Sequence, residues 1–333
     1  MNLTKRIELL VTLGEYLGRE DQELTSTREK AWLENKWFLP EYSLLAGINF
    51  AEKVLREDTL RRFAEKYQVP DMPGDKTVGL VMAGNIPYVG LHDLVCIFLS
   101  GLKQRVKVSS KDQTLIPKLI EQLHSTEPIS HDFLVSDEML KGCDAYIATG
   151  TDNSARYFEY YFGKYPHIIR KNRTSIALLD GTETAEELEL LADDIQLYFG
   201  LGCRNVTQLL VPKGYDFIPL LNALRKYDHY REHDKYKNNF DYQLTIAIMN
   251  NRFYMTNDSI VLMENESPFS PISQVHYRYY NDPKDVLMEI DTEKIQCVVG
   301  HGHIPFGNAQ CPDIHDFADG TDTMEFLRRI RNC

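Results

Sequence analysis

Residues 77–83 read TVGLVMA, a nearly unbroken apolar run closed by the turn Gly84-Asn85-Ile86-Pro87. A run of this kind suits a parallel strand covered on both faces, since neither face then calls for polar residues. The theme repeats downstream. An apolar helix is predicted over 89–100, a short strand over 105–109 (RVKVS), a helix over 115–124, a brief strand near 133–135 and a strong strand over 145–149 (AYIAT). Strands separated by helices of this length imply right-handed crossovers and a doubly wound sheet, which binds ligands at the carboxyl ends of its strands. The polar turns Gly84-Asn85, Ser109-Ser110-Lys111 and Gly150-Thr151-Asp152 all fall at that edge.

Ahead of this region, residues 7–17, 27–38 and 41–67 carry apolar residues at helical spacing, punctuated by Pro40 and by the stretch 70–75. The aromatics Trp32, Trp37, Phe38 and Tyr42 fit core anchors better than a lid or an oligomer contact. The first residues mix charge with apolar positions and lack the continuous apolar stretch and cleavage site of a signal peptide. No window approaches the roughly 18–20 apolar residues of a membrane span. With a net charge of -12, general binding to nucleic acid or anionic membranes is disfavoured, while a local basic site for a phosphorylated ligand is not. The six cysteines are scattered without a C-x-x-C pair, which fits a reducing, cytoplasmic setting and disfavours zinc.

The edge turns hold candidates for a nucleotide. Lys107 with Ser109 and Ser110 could meet a ribose or phosphate, and Gly150-Thr151 opens a predicted helix over 153–162 whose amide end favours phosphate. A lysine placed like Lys107 is more often a strand-end solvent lysine, and no G-x-G-x-x-G fingerprint is present. Arg170, Lys171 and Arg173 form a basic cluster that either faces a phosphate or is solvated.

In the second half, 185–197 reads as a helix and 207–211 as a buried strand, with Phe199-Gly200-Leu201-Gly202-Cys203-Arg204-Asn205 between them. Glycines in such a turn permit backbone angles that aim a thiol outward and leave amides near a reacting oxygen. Cys203 is therefore a candidate nucleophile, although an isolated Gly-x-Gly-Cys is more often a packed structural cysteine. Beyond it, 215–227 predicts an amphipathic helix and 230–237 a charged, solvated face. Strands of a smaller sheet are expected at 244–249, 260–263 and 275–280, and a further strand at 295–299, before a basic helix end at 327–331. His229 with His233, and His301 with His303, have spacings seen in metal sites, but no third ligand accompanies either pair.

Taken as an ordered set, Gly84-Asn85-Ile86-Pro87, Lys107-Val108-Ser109, Thr149-Gly150-Thr151, Gly202-Cys203 and Pro305-Phe306-Gly307 resemble the motifs of the aldehyde dehydrogenase superfamily. The stretch Gly-Leu-Gly-Cys-Arg-Asn and the closing PFGNAQCPDIHDFADGTDTMEFL are most similar to its acyl-CoA reductase branch related to LuxC. The likeness runs from about residue 76 to the C-terminus. It implies an α/β fold with a doubly wound nucleotide-binding sheet and a smaller α/β catalytic domain. The expected division is an N-terminal helical segment over 1–70, a nucleotide-binding domain over 71–175, a catalytic cysteine domain over 176–304 and a C-terminal segment over 305–333 packing back on the others.

Carried over by position, the resemblance implies that Cys203 takes the acyl group and that Asn85, with the Cys203 amide, holds the oxyanion. Lys107, Ser109 and Ser110 would meet the adenosine ribose, Gly150 and Thr151 the pyrophosphate, and Phe306 the cofactor. NADPH is expected over NADH, because Ser109, Ser110 and Lys111 could receive a 2′-phosphate, though Asp112 lies close by. Hydrolytic members of the superfamily carry a glutamate at the head of Glu-Leu-Gly-Gly, where this chain reads Ala177-Leu178-Leu179-Asp180-Gly181. Lacking that base, an acyl-enzyme would pass its acyl group to hydride or a thiol rather than to water. The implied activity is an acyl-CoA reductase acting on acyl-CoA or another acyl thioester. The alternatives are a non-reducing acyl-binding or acyl-transfer relative, and CoA-acylating aldehyde oxidation; a homo-oligomer is possible.

Overall fold

The computed structural model describes residues 1–332 of the 333. The chain divides into two compact units, one comprising residues 1–172 with 311–332, the other residues 173–310. The class read from the sequence, α/β with parallel sheets and an N-terminal helical segment, is the class observed.

Unit 1 begins with four helices, α1 (Leu3–Leu17), α2 (Gln22–Glu34), α3 (Pro40–Lys53) and α4 (Glu57–Lys66). The single helix expected over 41–67 is thus two. Val54 and Leu55, each 1 % exposed, leave the helical course to fill the core, and α4 restarts with Glu57 and Asp58 in its first turn, where acidic side chains favour a helix start. A five-stranded sheet follows, made of β1 (Thr77–Val81), β2 (Lys103–Lys107), β3 (Leu134–Ser136), β4 (Ala145–Thr149) and β5 (His167–Arg170). Helices α5 (Leu91–Ser100), α6 (Leu115–Thr126) and α7 (Asp152–Phe162) connect the strands. The order is β3-β2-β1-β4-β5 and every pairing is parallel. Strand order therefore reverses between β1 and β4, the place where a doubly wound sheet opens a crevice. One apolar core joins the N-terminal helices, this sheet and the C-terminal helix Thr323–Asn332. Phe38 lies within it.

A buried ion pair ties the sheet to the C-terminal stretch. Arg170, at the end of β5, donates through Nη2 to Asp93 Oδ1 at 2.7 Å and through Nε to Oδ2 at 3.2 Å. It also donates to Thr323 Oγ1 at 2.9 Å and to the Ala318 carbonyl. Burial alone would raise the Asp93 carboxyl, but the guanidinium outweighs it and holds the group below its usual range. Arg170 is thus neither a phosphate ligand nor a solvated charge, whereas its neighbour Lys171 is an exposed cation beside Glu159.

Unit 2 contains β6 (Thr174–Leu178), α8 (Ala185–Gln196), β7 (Val206–Pro212), α9 (Ile218–Ala223), α10 (Asp234–Met249), β8 (Met255–Thr256), β9 (Val261–Glu264), β10 (Gln274–Tyr280), α11 (Pro283–Met288) and β11 (Ile295–Gly300). Its sheet runs β11-β6-β7-β10-β9-β8, parallel except for β8 against β9. Three expectations are corrected. Residues 244–249 (LTIAIM) end helix α10 rather than forming a strand, since the His233 side chain caps its start and Tyr236, Phe240 and Ala247 bury one helical face. Packing here overrides β propensity. The helix expected over 215–227 is only α9, after which 224–232 tightens into 3-10 turns. Within 230–237, Tyr230 and Tyr236 are core residues, each 1 % exposed. No helix among the described residues is long and apolar enough to cross a membrane.

Candidate functional site

The carboxyl edge of the unit 1 sheet gathers the predicted nucleotide residues by register alone. Val81 pairs with both Lys107 on β2 and Ala148 on β4, so the turns carrying Asn85, Ser109-Ser110 and Gly150-Thr151 leave the sheet side by side. Asn85 and Gly150-Thr151 flank the reversal of strand order. Lys107 and Ser110 are exposed and Ser109 is half-buried. A Cβ on Gly84 would lie 2.7 Å from Ser109 Oγ, so glycine is what lets these two turns touch. At Gly150 a Cβ would meet Ser154 Cβ at 2.8 Å and the Phe158 ring at 2.9 Å, which holds the turn close against the first coil of α7. Thr151 caps that helix, its Oγ1 accepting from the Ser154 amide. Exposed amides at a helix start, a bare glycine turn and a nearby lysine together suit a pyrophosphate.

Asp112 faces elsewhere. Its Oδ1 accepts from the Leu115 and Ile116 amides at the start of α6, and burial pushes the carboxyl up to about 6 despite those bonds.

In unit 2 the cysteine turn hangs from α8. That helix starts with a reciprocal cap between Thr184 and Glu187 and ends at Gln196. Tyr198, Phe199 and Gly200 then adopt left-handed angles in succession, with φ of 56°, 60° and 71°. For the two aromatic residues this costs on the order of 1 kcal/mol each. Burial offsets it: Tyr198 is 4 % and Phe199 1 % exposed, and the Phe199 ring lies 4.3 Å from that of Tyr230 and 4.6 Å from that of His233. His233 is thereby a cap and a packing surface. No group of three or more potential metal ligands exists among the described residues.

A β-turn follows, closed by the Asn205 amide donating to the Gly202 carbonyl at 3.1 Å, with Cys203 and Arg204 at its tip. Among the described cysteines Cys203 alone is exposed. Burial raises the Cys96 and Cys143 thiols, which sit in the core of unit 1 or against its sheet. The Cys203 carbonyl accepts from Ser175 Oγ at 3.0 Å, and the same hydroxyl lies 3.0 Å from Cys297 Sγ. The Asn205 side chain binds the Gly202 amide and the last carbonyls of α8. Asn205 closes the cysteine stretch singled out in the sequence, though without a role there, and Ser175 carried no sequence signal.

The loop after β11 is fastened to the same helix. Asp194, fully buried on α8, accepts from the Gly307 amide at 2.7 Å and the Ala309 amide at 3.0 Å, and burial lifts its carboxyl to about 7. Phe306 is 6 % exposed and stands edge-on to His301. His301 is held by Asp180 Oδ2 at 2.9 Å on Nδ1 and by Glu187 Oε1 at 3.0 Å on Nε2. These two carboxylates raise the imidazole to about 9, so it is a cation at neutral pH. Helix α8 thus anchors the cysteine turn at one end and the Pro305-Phe306-Gly307 loop along its length.

Neither a protein-family model nor a curated protein sequence matches this chain. Solved structures do. Aldehyde dehydrogenase 21 from Physcomitrella patens, solved with its reaction product succinate, aligns over 99 % of this chain and 85 % of its own, at a TM-score of 0.69 and 12 % identity. The fold is that of the aldehyde dehydrogenases. HpcC from Thermus thermophilus gives 0.68 at 12 % identity over 90 % of this chain and 70 % of its own. An NADP-dependent glyceraldehyde-3-phosphate dehydrogenase from Bacillus halodurans, solved with NADP, gives 0.63 at 11 % over 90 % and 74 %. What this chain shares with these aldehyde dehydrogenase structures is the course of the backbone.

Proposed function

We propose that this protein is an acyl-thioester reductase of the LuxC-like kind, which converts acyl-CoA to an aldehyde with NADPH through an S-acyl-Cys203 intermediate. The observation that carries the reading is Cys203: an exposed thiol at the tip of a turn that is hydrogen-bonded from both sides. Unit 1 is the nucleotide-binding domain in this reading and unit 2 the catalytic one. Lys107, Ser109 and Ser110 hold the adenosine end of the cofactor, Gly150 and Thr151 the pyrophosphate, and Phe306 lines the approach. NADPH is favoured over NADH because Asp112 is spent on the start of α6 instead of offering a carboxylate to a ribose 2′-hydroxyl.

In the first half-reaction the Cys203 thiolate adds to the thioester carbonyl carbon. The carbon–sulfur bond to coenzyme A breaks and CoA leaves as its thiol after protonation. Asn85 and the Cys203 amide steady the oxyanion. NADPH, when held there, would supply a hydride; the acyl carbon on Cys203 would accept it, and collapse of the resulting thiohemiacetal would release aldehyde and return the thiolate. Water is a poor competitor because no glutamate heads the turn after β6. The carboxylate present there, Asp180, accepts from the Thr182 amide, from Thr182 Oγ1 and from His301, and falls to about 2, too weak to act as a base.

The test is to incubate the protein with acyl-CoAs of several chain lengths, follow NADPH by its absorbance, and map adducts by mass spectrometry. An acyl group on Cys203, absent from Cys203→Ala, together with acyl-CoA-dependent NADPH oxidation is the expected result. An adduct that persists in Cys203→Ala sinks the assignment. An adduct without NADPH oxidation at any chain length turns the reading to acyl transfer.

A further inference from the structure

We infer that Asn205 is the positioning residue for the Cys203 nucleophile, an inference that rests on the acyl-transfer reading above. A carboxamide offers two N–H donors and one acceptor oxygen, and Asn205, fully buried, uses all of them locally. Its Oδ1 accepts from the Gly202 amide at 2.8 Å. Its Nδ2 donates to the carbonyls of Leu197 at 2.9 Å and of Asp194 and Ile195 at 3.2 Å each, so one of its protons is shared. The Asp194 and Ile195 carbonyls belong to the last turn of α8 and Leu197 is its C-cap, where a helix lacks following amides and its partial negative charge gathers. The left-handed run from Tyr198 to Gly200 carries the chain off the helical course, and Asn205 brings donors back to the helix end.

The consequence is mechanical. One planar side chain fixes the residue before Cys203 to α8, while its own backbone amide closes the turn onto the Gly202 carbonyl and its carbonyl accepts the Ser175 amide of β6 at 3.1 Å. Ser175 Oγ meanwhile donates to the Cys203 carbonyl. The thiol-bearing residue is therefore set between a helix end and a strand through Asn205. Aspartate has the same shape but offers only acceptors to three carbonyls when ionised; alanine offers nothing.

Asn205→Ala and Asn205→Asp, made in the full chain, decide the point through three readouts: amide exchange of peptides spanning 198–205, the rate of octanoyl or tetradecanoyl transfer from CoA to Cys203, and the KM for NADPH. With the circular dichroism of wild type retained, the alanine variant should exchange its Gly202 amide at least roughly tenfold faster. It should acylate about 100-fold more slowly, the loss expected of a displaced reacting group, with the KM for NADPH within about twofold of wild type. At matched pH, acylation by Asn205→Asp should move closer to that of wild type between about pH 7 and about pH 5, because a protonated carboxyl regains a donor. Should the alanine variant fail to fold, the isosteric aspartate carries the test. Acylation within about threefold of wild type in a folded variant, or unchanged exchange at Gly202, overturns the assignment. If wild-type protein takes no acyl group, the acyl-transfer reading fails on its own, and the exchange result still decides whether Asn205 holds the turn.

Discussion

Replacing Asp93 by alanine should destabilise unit 1 by about 3–5 kcal/mol, the range found when one partner of a buried pair is removed. The structure places this pair at the severe end. The Arg170 and Asp93 side chains are 3 % and 6 % exposed, and the carboxylate receives two guanidinium bonds and one from Thr323 Oγ1 at 3.0 Å. Its loss leaves an ionised guanidinium in the core with Thr323, the Ala318 carbonyl and the charge of Asp319 in place of its main partner. For a unit of this size the change corresponds to a fall of roughly 6–20 °C in Tm. The chain carries its own reporter, since both tryptophans, Trp32 and Trp37, lie in the helical region of unit 1 and their fluorescence follows that unit's unfolding. The paired change Asp93→Leu with Arg170→Met should lie closer to wild type than either single change, because it removes the desolvated charges together. The sign with pH is also fixed. A depressed carboxyl stabilises the fold above its unfolded value near 3.9 and that contribution is lost as pH falls through the lower folded value. A loss below about 1 kcal/mol in Asp93→Ala, or a double variant worse than both singles, would refute the reasoning.

Two further outcomes concern the site elements. The His301 cation, raised to about 9, stabilises unit 2 fully below the ordinary value of 6.5 and progressively less as pH climbs through 9. Because the side chain is 43 % exposed, solvent screening limits its pairing with Asp180 to about 1 kcal/mol; calorimetric melts from about pH 6 to about pH 10 should show this slope, and His301→Gln should abolish it. Gly84→Ala forces a Cβ against Ser109 and should cost about 1–3 kcal/mol of unit 1 stability. It should also weaken NADPH binding in a fluorescence titration, and an unaltered affinity in a folded variant would remove Ser109 from the cofactor site.

The alternation of strand and helix over residues 77–149 was readable because β1 and β4 are buried on both faces and therefore apolar throughout. The failures came where distant partners decide. Residues 244–249 have strand composition, yet Tyr236 and Phe240 commit the segment to a helix from its start. Arg170 read as either an anion ligand or a solvated charge because its partner Asp93 lies 77 positions earlier in the chain. The cysteine turn was legible from its glycines, whereas the left-handed Tyr198 and Phe199 were not, since neither residue type favours those angles and only burial against Tyr230 and His233 holds them. His301 and Asp180 meet because β6 and β11 are neighbours, which no local pattern announces.

That the chain leaves unit 1 after residue 172 and rejoins it at 311 has a consequence for synthesis on the ribosome. Unit 2 is one continuous stretch, so its sheet and the Cys203 turn can form as soon as residue 310 has emerged, domains generally folding as units during synthesis. Unit 1 must wait longer, because the hydroxyl and carbonyl that complete the Arg170 network belong to Thr323 and Ala318, which are made after all of unit 2. During that interval the nascent chain presents the exposed Cys203 thiol while the unit 1 sheet still lacks its closing helix. Nascent chains stalled with residue 310 outside the ribosome but residues 318–332 still inside it should therefore protect unit 2 from protease and leave unit 1 open to it.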